Sequence, residues 1–521
     1  MLTPGGAGGV RVCSLSAASP RSSSGFFSDR RVHFCLIAGM ALLVLFSKLH
    51  IGDLGGYDDA VYAHEGKSML STGQWWSVSL NGRLDFDKPP MFVWLEALSM
   101  LVFGVTDFAA KFPSALLGFG TIMLTFFLAR EVSDSYRLPV WAMLILLCTH
   151  VFIRFSMRAM TDVPFTFFFV LAVFSYLKGL KQSRYFLLFG LAISFAILMR
   201  SFLGAIPLGI VGAHLILTGQ LNRLRSKSFA AGVLIALGLP MIWFVSQYRL
   251  HGGEFLIRHF SFTVENLPLT SGKDSGQFRF GLFQYPVLLF QSYWPWLPLM
   301  LLGLWMQSRK LFKERDSTSI LLIVWVLAVM VPFSLIHYKW LRYIMPLFPV
   351  FSILAAIPIC QWMESRAKLR FPSAHLKAAY VLLGLLMAGM ALNPKYRERP
   401  EELRRLAPVA EAVTLPQHPI LLYTERTPRD AHLFQLIWYA DRQGELLDDI
   451  RDVVSRVKKA PNSAVIMDKA AFRNSVSRIK PRIKVLAETE GFVCWTINSS
   501  MEPAETAEKI PPPAFNNDGG N

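Results

Sequence analysis

Two short acidic stretches hold the side chains best placed to do chemistry: Tyr57-Asp58-Asp59-Ala-Val-Tyr62 and Asp85-Phe-Asp87-Lys88-Pro89-Pro90. Both lie between a first apolar run and the next, so carboxylates and a lysine stand at the edge of a bilayer. Charge there is costly unless it is used. A carboxylate partly withdrawn from water holds its proton more tightly and suits a base acting on an acceptor hydroxyl or amine. A lysine beside it can hold a phosphate as a compact point charge. The pairing points to chemistry on a lipid-borne phosphate. A helix over 59–71 would put Asp58, Tyr62 and Glu65 on one face. Asp58 could instead simply cap that helix, but Asp59 beside it favours function, because adjacent acids repel unless something cationic is bound. Glu65 reads as a solvated face residue. Lys88 has a rival reading as a lysine snorkelling to headgroups.

Further along, Arg158-Ala-Met-Thr-Asp162 sits where an apolar span returns to the same side. Arg158 and Asp162 are four apart, so an ion pair closing one helix turn is the bland alternative to a functional pair. Arg200, between two spans, is a weaker case of the same kind. Lys339, Arg342 and Tyr343 open another span, and three donors at a rim could cradle a phosphate or bind lipid headgroups. His259, beside Arg258 in a long loop, is a lone histidine of low specificity. The chain has no glycine-rich phosphate loop, nucleophile elbow or paired-histidine metal motif.

The elements that must position these groups are membrane helices. The 521 residues are 53% hydrophobic and only 17% charged, with a mean hydropathy of +0.38; a soluble chain is more polar. Apolar segments fall near 33–49, 90–104, 111–129, 138–157, 163–179, 185–199, 201–217, 228–247, 283–306, 319–336, 341–359 and 377–392. Segment 90–104 is short, begins with Pro89-Pro90 and carries Glu96, which suits a helix lying in the headgroup plane. With it removed, about eleven spans remain and the basic loops sort to one side, as the Lys/Arg bias requires. The net charge is +17; from Asn393 onward 19 basic residues face 18 acidic ones, a net of +1, which leaves +16 on residues 1–392. That excess reads as cytoplasmic loops rather than as a nucleic-acid-binding surface. Five scattered cysteines indicate neither a disulfide framework nor a zinc site.

The expected fold is therefore an α-helical polytopic membrane protein with a small C-terminal α/β extramembrane domain. Residues 1–31 form a disordered basic tail, 32–392 the transmembrane domain with a first outer loop at 50–110, 393–500 the outer α/β domain and 501–521 a disordered tail. Strands are expected at Ile420–Tyr423, Ala464–Met467, Ile483–Leu486 and Phe492–Trp495, with a helix at Asp449–Lys458. The amino terminus lies inside. The first loop, Asp162, the loop 248–282 and the Lys339–Tyr343 cluster lie outside with the C-terminal domain.

Taken together, the motifs resemble the GT-C glycosyltransferases, and within them the bacterial lipid A aminoarabinose transferases and relatives of the protein mannosyltransferases. The family pattern runs Asp-Glu-x-x-Tyr-Ala, Asn-Gly, then Glu-Lys-Pro-Pro and an aromatic. This chain reads Asp58-Asp59-Ala-Val-Tyr62-Ala63, Asn81-Gly82, Asp87-Lys88-Pro89-Pro90 and Trp94, followed by Arg158 to Pro164, Tyr293-Trp-Pro295-Trp296 and Tyr343-Ile-Met-Pro346. The match covers roughly residues 33–360. It departs from the pattern where Asp59 and Asp87 replace glutamates and where the arginine that follows His259 in relatives is missing.

The resemblance implies a GT-C fold in the bacterial inner membrane and inverting transfer of a sugar from a polyprenyl-phosphate donor. The acceptor would be a glycolipid, glycan or protein on the outer face. It implies Asp58 as the catalytic acid/base. Asp59, Tyr62, Asp87, Lys88, Arg158, Asp162, His259, Lys339, Arg342 and Tyr343 would contact substrate. No cofactor is expected to be required; a divalent metal is possible, since some relatives bind one, with Asp87 and Asp162 as candidate ligands. The rival class is a transporter or flippase of lipid-linked sugar, which should show internal repeats and helices broken at the midplane. No internal repeat is visible.

Overall fold

The computed structural model describes residues 30–54, 57–265, 284–336, 339–365, 402–427, 429–459, 463–476 and 483–497. The expected basic tail, the apolar run 377–392, the linker that follows it and the tail 501–521 lie outside the described residues. Helix α1 (Arg30–Phe46) leads into α2 (Tyr57–Thr72), strands β1 (Val78–Leu80) and β2 (Arg83–Asp85), and α3 (Met91–Phe103). Then come α4 (Asp107–Val132), α5 (Arg137–Leu147), α6 (His150–Ser156), α7 (Asp162–Lys181), α8 (Tyr185–Arg200), α9 (Ile206–Leu217), α10 (Lys227–Glu265), α11 (Gln284–Ser292), α12 (Trp296–Glu314), α13 (Ser317–Leu335) and α14 (Leu347–Ser365).

Among the described residues, six helices are long and apolar enough to cross a bilayer, or seven if α5 and α6, bent by 66° at their junction, make one span. They are helical because apolar surroundings offer the backbone no partner but itself. Helix α3, at 13 residues, reaches only about 20 Å, short of the ~30 Å hydrocarbon core, in keeping with an interfacial position. The apolar stretch Tyr185–Leu217 breaks at Ser201, where φ is +53°, and the turn folds back until Gly204 lies on the backbone of Ala196 and Ile197. Helix α10 corrects the expected loop over 248–282: it runs on to Glu265, kinked at Gly252, and carries His259 on a helix.

The helices pack through rings and small residues. Phe169 stacks on Trp325 at 5.7 Å, and Tyr293 meets Phe348 at 5.5 Å. Without a hydrophobic force between helices in lipid, close backbone approach at small residues supplies the attraction. Gly190 of α8 faces Gly232 of α10, and Gly303 of α12 lies against Leu354 of α14.

The first loop contains a hairpin. Asn81-Gly82, read from sequence only as one member of a motif, closes β1 onto β2 with φ of +50° and +75°, as a two-residue turn of this hand requires. The C-terminal part comprises α15 (Glu402–Val413), β3 (Ile420–Tyr423), α16 (Arg429–Tyr439), β4 (Gly444–Leu446), α17 (Ile450–Lys459), β5 (Val465–Asp468), α18 (Lys469–Val476), β6 (Ile483–Glu488) and β7 (Phe492–Ile497). Its sheet has the order β4-β3-β5-β7-β6, parallel through β5 and antiparallel beyond. Alternation along the strands sends Ile420, Leu422 and Ile466 to one face, against Leu406 and Leu436, and Leu421, Val465 and Met467 to the other, against Val453 and Val457. Both faces are covered, which is why these strands are apolar throughout.

A Cβ added at Gly303 would stand 1.9 Å from the Leu354 carbonyl oxygen, so Gly303→Val must push α12 off α14. The expected outcome is a loss of about 1–3 kcal/mol of stability, read as a lower melting temperature of the detergent-solubilised protein.

Candidate active site

The first turn of α2 carries Asp58 and Asp59, which favour a helix start because acids offset the unpaired N–H groups there. Asp58 is half-buried and ion-paired with Arg342, which the short turn Leu341–Ile344 delivers between α13 and α14. Asp59, on the next helical position, is buried and bonded 3.0 Å from Arg158 Nε. One helical turn on, the Tyr62 hydroxyl receives a hydrogen bond from Lys88, whose ammonium also lies 4.5 Å from the centre of the Tyr62 ring. Lys88 sits between strand β2 and α3, where Pro89-Pro90 fixes the chain just before the helix.

Asp162 opens α7. It pairs with Arg200 at the end of α8, with Nη2 2.5 Å from Oδ1, and Arg200 Nε donates to Thr161 Oγ1 at 3.1 Å. The Arg158–Asp162 pair suggested by their spacing does not form: Met157 to Thr161 are not in helix, so the i,i+4 relation is lost and each residue finds a partner on another element. One oxygen each of Asp59 and Asp162 is buried with no hydrogen-bond partner.

The charges govern one another. Burial raises the Asp58 pKa, but Lys88 and then Arg342 outweigh it and hold the carboxyl below its ordinary value, with Arg200 adding to the pull. Asp59 goes the other way: burial pushes it up to about 6 against the pull of Arg158. Burial opposes the charge on Lys88, yet Tyr62 and Asp58 keep its pKa above the usual value. Arg342 is likewise raised, by Asp58 and Asp162 against burial. Asp58 is therefore paired with Arg342 and lies in the field of Lys88 and Arg200.

Other expected residues fall elsewhere. Lys339 does not join the cluster: its ammonium turns back to the Ile336 carbonyl at 2.7 Å, closing the end of α13. Tyr343 stacks near Phe333 with the Arg342 guanidinium 5.8 Å from its ring. His259 is buried and bridges two loops, Nδ1 lying 2.6 Å from the Phe86 carbonyl and Nε2 3.0 Å from Ser201 Oγ. A carbonyl can only accept, so Nδ1 carries the proton and Nε2 accepts from Ser201. His259 thus ties the residue next to Arg200 to the residue two before Lys88. Arg258 points away, paired with Glu254. Asp87 is exposed, its N–H bonded to Asp85 Oδ1 at 2.8 Å, and burial with Asp85 raises its pKa. Glu65 corrects the solvated-face reading: it is buried, with its pKa held up by burial and then by Asp85.

Sequence reading undervalued Arg200 and missed Lys111, which is buried and donates to the Gly52 carbonyl at 2.7 Å. A lysine in an otherwise apolar helix start was the available signal. A cavity of about 580 Å³ is lined by Arg83, Phe86, His251, Gly252 and Arg258. A second, of about 530 Å³, lies among Ser135, Arg309, Lys310 and Glu364 and includes none of these site residues.

Residues 33–255 match the family of dolichyl-phosphate-mannose-protein mannosyltransferases. An uncharacterized protein of Aquifex aeolicus is 28% identical over 70% of this chain and 70% of its own length. The undecaprenyl phosphate-alpha-4-amino-4-deoxy-L-arabinose arabinosyl transferase of Aeromonas hydrophila is 27% identical over 66% of this chain, an alignment that spans 63% of the transferase. In structure, ArnT from Cupriavidus metallidurans superposes with a TM-score of 0.69 at 18% identity, covering 89% of this chain and 98% of ArnT. The Archaeoglobus fulgidus oligosaccharyltransferase gives 0.58 at 12% identity, covering 86% and 71%. The chain is a multi-pass membrane protein that shares the fold of ArnT and of the archaeal oligosaccharyltransferase, and its sequence is similar to the aminoarabinose transferases and the protein mannosyltransferases.

Proposed function

We propose that this chain moves a sugar from a polyprenyl-phosphate donor to an acceptor on the outer face of the bacterial inner membrane, with inversion at the anomeric carbon. The observation that carries the reading is the half-buried Asp58 paired with Arg342 in the field of Lys88 and Arg200. The relatives named for an activity are transferases, and none points to the flippase alternative. ArnT has been seen with undecaprenyl phosphate, and the archaeal oligosaccharyltransferase with a peptide and a dolichol-phosphate. These support a lipid phosphate as donor and a glycolipid, glycan or protein as acceptor.

In the step proposed, Asp58 takes the proton of the acceptor hydroxyl or amine. The acceptor atom forms its bond to the anomeric carbon as the bond to the phosphate oxygen breaks. The lipid phosphate leaves with that electron pair. Lys88 and Arg342 hold the growing charge, an effect worth several kcal/mol in a site poor in water. Arg342 has two claimants. Without donor it holds Asp58 ionised and idle; a donor phosphate shares its charge and leaves Asp58 the stronger base. Arg158 and Arg200 keep Asp59 and Asp162 in place behind the reacting groups, and His259 holds the Lys88 and Arg200 loops in register.

The placement of the reaction on the outer face rests on the basic loops: Arg130, Arg137, Lys178, Lys181, Arg223 and Arg225 lie at helix ends remote from Asp58 in the chain's up-and-down path. The amino terminus would then be cytoplasmic and the C-terminal domain periplasmic. A divalent ion is not required in this scheme. Asp162 already holds Arg200, and Asp87, the other candidate ligand, sits at the exposed rim.

With radiolabelled lipid-linked sugar and purified protein, Asp58→Asn is expected to lower kcat by about 10²–10⁴-fold while the protein stays folded; an unchanged rate overturns the assignment. Treatment with EDTA should leave most of the transfer activity. The pH profile has a definite sign. Since the Asp59 carboxyl titrates near 6, its ion pair with Arg158 exists only above that pH. The rate should therefore fall as pH drops through about 6, and Asp59→Asn should hold the low-pH rate throughout the range.

A further inference from the structure

Helix α16 of the C-terminal domain lies directly on α2. Its side chains take both backbone groups of Leu54: the Leu54 N–H donates to the Tyr439 hydroxyl at 3.2 Å, and Gln435 Nε2 donates to the Leu54 carbonyl at 2.9 Å. Leu54 is fully buried and precedes Asp58 by four residues. Trp438 Nε1 donates to Asp107 Oδ1 at 2.8 Å, anchoring the same helix to the start of α4. The hold is reciprocal. Lys67 of α2 reaches the carbonyls of Trp438 and Ala440 at 3.4 and 3.2 Å, capping the C-terminal end of α16 where a cation is favoured. Tyr57, next to Asp58, meets Phe434 edge-on at 4.9 Å.

We propose that α16 is a positioning element for the catalytic carboxylate: through Tyr439, Gln435 and Phe434 it sets the start of α2 and hence the reach of Asp58. This inference rests on the reading of Asp58 as the base. Local sequence cannot set that reach, because Gly55-Gly56 stands between Leu54 and α2 and glycine has the weakest backbone preference of any residue. Backbone groups inside a buried segment must find partners, and those of Leu54 find them on side chains more than 380 positions away in the chain. A displacement of about 1 Å at a reacting group costs on the order of 10²-fold in rate. The outer domain thereby belongs to the catalytic apparatus without supplying an atom to the reaction.

The test uses the full chain in lipid nanodiscs with Tyr439→Phe and Gln435→Met, which keep side-chain volume and remove the hydrogen-bonding groups. Hydrogen exchange followed by mass spectrometry should show the amides of residues 54–62 exchanging about 10-fold faster or more, with β3 and β5 still protected. Transfer should show kcat down by about 10–100-fold while the affinity for undecaprenyl phosphate stays within about two-fold. A merely structural role would move neither the local exchange nor the split between kcat and donor affinity. If a variant loses protection across the whole domain, Lys67→Met, which frees the last carbonyls of α16 and the exposed Asp441, carries the same measurements. If Asp58→Asn is inactive but the α16 variants turn over normally, the positioning role alone is overturned. If Asp58→Asn turns over normally, the base assignment falls and the positioning role falls with it.

Discussion

Everything at the working end of this molecule depends on matching charge with charge at the rim of a low-dielectric slab. An unpaired buried ion costs several kcal/mol, so a carboxylate that leaves water must either meet a cation or keep its proton, and burial raises the Glu65 pKa. Asp58 meets Arg342, Asp59 meets Arg158, and Asp162 meets Arg200. The partners come from α2, the segment before α7, the start of α7, the end of α8 and the turn before α14. Requiring all three pairs at once therefore fixes how five parts of the helical domain lie against one another. Lys88 completes the set from the first loop, its charge shared between the Tyr62 hydroxyl and the field of Asp58.

The pairs differ in access, and in the proposed reaction that difference divides reacting groups from supports. Asp58 and Arg342 keep about a fifth to a quarter of their side-chain surface open, whereas Asp59 and Asp162 keep almost none. In the proposed reaction the donor phosphate reaches the first pair and competes for its arginine. It cannot reach the buried carboxylates. The same geometry explains why His259, which looks from sequence like a ligand, serves as a strut: both ring nitrogens are occupied by Phe86 and Ser201. Ser201 holds a positive φ that glycine would adopt without strain, and its hydroxyl is one end of that strut.

Much was legible in the chain. Apolar runs give the helices because hydrocarbon allows no other backbone, and the apolar strands of the C-terminal part reappear within a residue or two of where alternation and turns place them. Asp58, Asp59, Tyr62 and Lys88 were readable because ionisable groups beside Pro-Pro at a membrane edge have few structural reasons to exist. Other residues were misread for a common reason. Spacing suggested Arg158 with Asp162, a phosphate cradle at Lys339 and a solvated Glu65. Spacing reports only neighbours on the same element. The helix breaks before Asp162, Lys339 folds back on its own carbonyl, and Glu65 is covered by the first-loop hairpin and α3.

By itself the sequence determined a helical membrane protein, a small α/β domain and a first loop rich in reactive groups, because hydropathy, periodicity and residue type are local properties. Only the tertiary structure decided which cation faces which carboxylate, that Arg342 and not Lys339 comes to Asp58, and that α16 grips the chain just ahead of it. Those contacts join residues hundreds of positions apart. Their partners are chosen by the cost of burying an unpaired charge or backbone group, and that cost exists only once distant helices have closed around it.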